Sequence, residues 1–169
     1  MIELVLHLIL NYRGKKGKLK MNNLTKKALT FSAAGLIALA TWEGFESKPY
    51  KDIGGVWTDG FGNTNQVVPN KSVTVPQALD RLNKNLNEFE ATVNRCITKP
   101  MTQGQYDAFV KFSFNVGSNA FCRSTLVRKF NDGDSTGACN ELRRWVFVKG
   151  RRVQGLVNRR EAERKLCMS

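Results

Sequence analysis

The chain has 169 residues, enough for one domain with an appended tail and for a core burying about two-thirds of the unfolded surface. A hydrophobic content of 41% with 9% aromatics excludes wholesale disorder, and no apolar run reaches the roughly 18 residues that would force a transmembrane helix. The single histidine, His7, excludes multi-histidine zinc sites. It also excludes Ser-His-Asp and Cys-His catalysis unless that N-terminal residue is the base.

The net charge of +13 is uneven: +6 over residues 1–27, zero over 28–120 and +7 over 121–169. Cationic ends suit a polyanion such as nucleic acid, anionic lipid or an acidic wall polymer; the plainer reading is a solvated face.

Residues 1–10 are apolar but too short to span a bilayer, and the run from Arg13 to Lys20 is a basic, glycine-broken linker. Residues 1–27 therefore read as a basic extension, and 28–169 as the folded domain. Met21 offers a second start. Behind it, Lys26 and Lys27 precede a weakly apolar stretch from Ala28 to Trp42, the layout of a signal or signal-anchor segment. The same stretch also reads as a core helix leading to Glu43. Downstream, Gly54 to Thr64 has the glycines and alternation of a tight hairpin. Val75-Pro76 opens a long helix to about residue 95, with Leu79, Leu82, Leu86, Phe89 and Val93 on one face. Thr102 with Gln105 forms a capping box before a helix whose stripe is Phe109, Phe112 and Val116. Further helices are expected from about Ser124 to Asp132-Gly133-Asp134, from Ala138 to Val146, and from Leu156 to Leu166.

Four scattered cysteines, Cys96, Cys122, Cys139 and Cys167, make no C-x-x-C pair, so no metal site is expected. Behind an export-like segment they read as two disulfides; buried free thiols are the alternative.

The chemistry falls where the first helix meets the hairpin. Glu43 ends the apolar stretch, Asp52 follows nine residues later, past Pro49, which is expected to stop the helix, and Thr58 lies six further on. Hydrolysis of a glycosidic bond needs one carboxyl that donates a proton and another that directs water. Trp42, Phe45 and Leu39 give Glu43 an apolar setting that favours the neutral acid. Lys51 and the glycines around Asp52 favour the anion, and the Thr58 hydroxyl can hold water.

Glu43-Gly44, Tyr50-Lys51-Asp52 and the run Gly55 to Gly62 resemble the active-site segment of phage-type lysozymes, the endolysins of glycoside hydrolase family 24. Gln103 to Gly117 is similar to that family's central helix, Arg143-Arg144-Trp145 to its tryptophan-bearing helix, and Gly155 to Arg164 to its terminal G-L-x-x-R-R block. The resemblance spans residues 28–168. It implies an α+β, mainly helical lysozyme fold with a small β-hairpin lobe, a larger helical lobe and a substrate cleft between them. It also implies an endolysin activity, hydrolysis of the β-1,4 bond between N-acetylmuramic acid and N-acetylglucosamine in peptidoglycan during host lysis. Glu43 would then be the general acid, Asp52 the group that activates water with inversion, and Thr58 its orienter. Asn63, Thr64 and Phe114 would contact substrate. No cofactor or metal is implied, and a monomer that binds no nucleic acid is expected.

Two departures stand out. The family's G-x-G-H histidine is replaced by Asn63, which cannot become a cation. The cysteine that exported members carry in the hairpin is replaced by Asp59. The weakly apolar 28–42 stretch resembles the releasable anchor of signal-arrest-release endolysins, implying export to the periplasm after transient tethering at the inner membrane. The alternative is a cytoplasmic enzyme freed by a holin. Family topology favours Cys96–Cys122 and Cys139–Cys167 among the three pairings that four cysteines allow. A lytic transglycosylase and a non-enzymatic basic wall-binding module are the competing functions. The first has no need of Asp52, and the second leaves Glu43, Asp52 and Thr58 unexplained.

Overall fold

The computed structural model describes residues 29–52 and 55–169. The basic extension, Ala28 at the head of the anchor-like stretch, and Ile53-Gly54 of the hairpin lie outside the described residues. The described chain forms two compact units: residues 33–85, and residues 29–32 with 86–169.

In the first unit, helix α1 (Ala33–Glu43) starts later than Ala28 and buries Gly35, Leu36, Leu39 and Ala40. Gly44, at φ 72°, ends it in a backbone conformation that only glycine adopts cheaply. The hairpin differs from the expected one. Its strands are β1 (Glu46–Lys51) and β2 (Trp57–Gly60), paired antiparallel with Tyr50 opposite Thr58 and Lys51 opposite Trp57. Only β2 and the following Asp59–Asn63 turn lie inside the expected 54–64 window. Pro49 does not stop the helix. It sits in β1, where the register shifts between Glu46 and Tyr50, and an irregularity is where a strand accommodates a residue without an N–H.

Helix α2 (Val75–Cys96) begins as expected, and Thr74 caps it: its Oγ1 accepts from Gln77 N at 3.5 Å, and its own N–H donates to Gln77 Oε1 at 3.0 Å. Gly60 packs so closely on this helix that a Cβ there would sit 2.8 Å from the Ala78 Cβ.

The second unit is helical. Helix α3 (Gln103–Val116) carries the expected capping box, with Gln105 N donating to Thr102 Oγ1 at 3.2 Å and Thr102 N donating to Gln105 Oε1 at 2.9 Å. A short helix α4 (Ser118–Cys122), unforeseen, follows Gly117. Helix α5 (Thr125–Asn131) is capped by Ser124. Asp134 was expected to close that helix; instead it caps α6 (Ser135–Glu141) by accepting from Gly137 N at 2.8 Å. The expected 138–146 helix is thus displaced towards the N-terminus, tightening into a 3-10 turn at Leu142–Arg144. A small unforeseen hairpin, β3 (Phe147–Val148) with β4 (Arg151–Arg152), leads into α7 (Gln154–Met168).

Helix α7 packs along α3. The core is aromatic: Phe109, Phe112, Phe121 and Phe130 are at most 3% exposed, and Phe109 meets Phe130 edge-on at 5.1 Å. Both cysteine pairs are bonded as the resemblance implied, with Cα separations of 5.5 Å for Cys96–Cys122 and 5.7 Å for Cys139–Cys167. Residues 29–32 are held to this unit by carboxylates: the Phe31 N–H donates to Glu90, and both Ser32 N and Ser32 Oγ donate to Asp107.

Arg159 and Arg160, in the terminal block, point inward. Arg160 is fully buried, its Nη2 donating to Asn115 Oδ1 at 2.8 Å and to Glu163 Oε1 at 3.1 Å, with its Cζ 5.1 Å from the Phe112 ring centre. Arg159 Nε reaches the same Glu163 at 3.4 Å. Burial pushes the Glu163 carboxyl upward, and Arg160, Arg159 and Lys111 pull it back.

Candidate active site

The first unit holds a concave site of about 390 Å³ whose lining includes Glu43, Phe45, Lys48, Tyr50, Gly60 and Gly62. Glu43 is the last residue of α1 and is half-buried. Gly62 brings bare backbone beside it: a Cβ at Gly62 would lie 3.7 Å from Glu43 Oε2. The surroundings of Glu43 are more mixed than its sequence neighbours suggest. Leu39 is buried, but Trp42 is 41% exposed, and Glu46 and Lys48 share the lining.

Asp52 and Thr58 are set by one residue, Val56. The Val56 N–H donates to Asp52 Oδ1 at 2.9 Å, while Thr58 Oγ1 donates to the Val56 carbonyl at 3.1 Å. Asp52 N closes the same turn on Val56 O at 3.0 Å. The carboxylate therefore has one oxygen fixed by an amide. The hydroxyl spends its proton on the backbone, leaving its oxygen to act as an acceptor. Thr58 is buried, only 3% exposed.

Asn63 sits inside the Asp59–Asn63 turn, 5% exposed. Its Nδ2 donates to Asp59 Oδ1 at 3.0 Å and to Asn65 O at 2.9 Å, so its amide braces the turn. Thr64 is exposed next to it, and in the other unit Phe114 packs edge-on against Phe89 at 5.3 Å and remains half-exposed.

Sequence reasoning missed the partner of Asp59. Arg81 Nη1 contacts Asp59 Oδ2 at 2.7 Å and Oδ1 at 2.9 Å, and Asp59 is 2% exposed. This pair ties β2 to α2, and Asn63 donates to the same carboxylate. The only signal was an acid in a glycine-rich hairpin, with nothing local to identify a base 22 residues away.

Comparison with known proteins identifies the family. The phage lysozyme family matches residues 40–163. A SAR-endolysin of Bacteriophage PS119 is 40% identical over 127 residues, covering 75% of this chain and 76% of that protein. Among solved structures, the muramidase domain of SpmX from Asticaccaulis excentricus superposes with a TM-score of 0.79 at 30% identity, covering 83% of this chain and 99% of that one. An endolysin from Escherichia coli O157:H7 phage FAHEc1 gives 0.78 at 31% identity, covering 86% and 97%. The fold and the matched segment define a glycosidase of the lysozyme class. The chain belongs to the phage lysozyme family, and it is a phage endolysin, an enzyme of host-cell lysis.

Proposed function

We propose that Glu43, Asp52 and Thr58 together hydrolyse the β-1,4 bond between N-acetylmuramic acid and N-acetylglucosamine, with inversion. Glu43 donates its proton to the glycosidic oxygen as that bond breaks. A water loses a proton to Asp52 and attacks the anomeric carbon from the opposite face. The observation that carries this reading is the shared anchoring of Asp52 and Thr58 on Val56. With its own proton committed, Thr58 can only accept from the water. One water hydrogen then goes to Thr58 and the other to Asp52, which leaves a lone pair for the sugar. Thr64 and Phe114 are the proposed sugar contacts, and Asn63 acts by holding the turn. Proton NMR of freshly released reducing ends tests the stereochemistry: α-anomers are expected, and β-anomers would overturn inversion.

The name of the PS119 relative supports export by way of a releasable anchor in residues 28–42. Among the described residues no helix is long and apolar enough to cross a membrane. Residues 29–32 are bound to Glu90 and Asp107, and α1 carries Glu43. A chain whose 28–42 stretch lies in a bilayer has neither arrangement, so tethering would hold the enzyme inactive until release. Fractionation before lysis tests this: enzyme in the inner-membrane fraction is expected, and enzyme confined to the cytoplasm until a holin opens would refute it.

A further inference from the structure

The β3–β4 hairpin has no role in the site described above, and nothing among the described residues covers it. Phe147 is 58% exposed, Val148 51% and Val153 37%, and every residue from 147 to 155 is exposed. Two left-handed residues make its tip, Lys149 at φ 48° and Gly150 at φ 77°, the backbone of a two-residue hairpin turn. The pairs are Phe147 with Arg152 and Val148 with Arg151, and Val153 N donates to Val146 O at 2.8 Å at the foot. Side chains of opposed residues share a face, so each face of the hairpin presents one apolar side chain and one guanidinium.

A two-stranded hairpin is marginal in water without an apolar face to bury, and exposed apolar side chains flanked by charge mark an interaction surface. We propose that this hairpin is a membrane-docking tip that enters the headgroup region of an anionic bilayer. Its composition selects that partner over the wall. A glycan offers hydroxyls and amides that require both donors and acceptors, and from Phe147 to Val153 no side chain can accept a hydrogen bond. A purely ionic surface would use Lys149, Arg151 and Arg152 but leave Phe147, Val148 and Val153 in water. A bilayer interface takes both kinds: the apolar groups sink beneath the headgroups, and the cations lie among lipid phosphates with their stems buried. Two residue pairs beyond the foot reach about 7 Å, within the depth at which interfacial segments sit. The three cations bear no ion pair among the described residues, which leaves their charge available to the lipid.

The full chain is tested on vesicles by hydrogen exchange, because residues 1–28 carry lysines and apolar residues that could bring it to a bilayer unaided. The readout is therefore local to residues 147–153. On phosphatidylglycerol vesicles, exchange there is expected to slow by about tenfold, with no change on phosphatidylcholine. Phe147→Ser with Val148→Ser, and separately Arg151→Gln with Arg152→Gln, should each remove the protection while leaving the melting temperature unchanged. Unaltered exchange at 147–153 on a chain that does bind the vesicles would overturn the proposal. So would equal protection on both lipids, or protection by lipid-free peptidoglycan and not by vesicles.

Discussion

Glu43 has a role that an isosteric change isolates. Glu43→Gln keeps shape and removes the transferable proton, so clearing of cell-wall suspensions should fall at least about a hundredfold while the melting temperature stays put. Asp52→Asn should be comparably severe, because the amide still accepts from Val56 N–H but no longer takes a proton from water. Asp59 has a different role. Arg81→Ala leaves a carboxylate that is 2% exposed with Asn63 as a partner but no cation, and urea denaturation should register a loss of about 1.5–3 kcal/mol. The proposed catalytic residues could be picked out of the sequence because all three lie within sixteen residues of chain. Family spacing turned an otherwise weak pair of acids into a pattern. The Asp59–Arg81 pair was not legible, since a tertiary ion pair leaves no periodicity, and Asn63 read as a substrate contact because its commitment to the turn depends on backbone geometry.

At the scale of elements, α7 is an internal electrostatic strut. Glu163 is fully buried among Arg159, Arg160 and Lys111, so Glu163→Gln leaves buried cations without their counter-charge and should cost about 3–5 kcal/mol. Arg159→Ala with Arg160→Ala should melt early at every salt concentration, which separates a structural role from long-range steering. On the outer face of the same helix, Arg164 and Arg143 hold the Glu161 carboxyl down to about 2. A carboxyl lowered on folding stabilises the fold above its unfolded value of about 4.3, and that contribution fades as pH falls towards about 2. Thermal melts of Glu161→Gln should therefore differ from wild type at neutral pH and converge with it in strong acid. The apolar stripes of α2 and α3 and the Thr102 capping box were readable because they are local and periodic. Pro49 and Asp134 misled for one reason: each residue type either ends or begins an element, and tertiary pairing decides which.

For the whole molecule, charge and cross-links set behaviour. Of the twelve basic residues in 121–169, Lys129, Arg143, Arg144, Arg159, Arg160 and Arg164 are spent on Glu141, Glu161 and Glu163. Arg123, Arg128, Lys149, Arg151, Arg152 and Lys165 stay exposed and carry the long-range attraction to anionic surfaces, so the apparent KM on cell walls should rise with salt. The two disulfides close separations of 26 and 28 residues, each contributing about 2–4 kcal/mol. Reduction should lower the calorimetric melting temperature by at least about 10 °C. Counting cysteines leaves three pairings open; the family topology selected the one observed.

The central claim is water-mediated hydrolysis by Glu43 and Asp52. It is tested most directly by digesting purified peptidoglycan in heavy-oxygen water and weighing the fragments by mass spectrometry. Wild-type enzyme should release muropeptides ending in reducing N-acetylmuramic acid that carries one heavy oxygen, and Glu43→Gln should release almost none. Anhydro-muramic ends without label, or label released equally by both proteins, would contradict it.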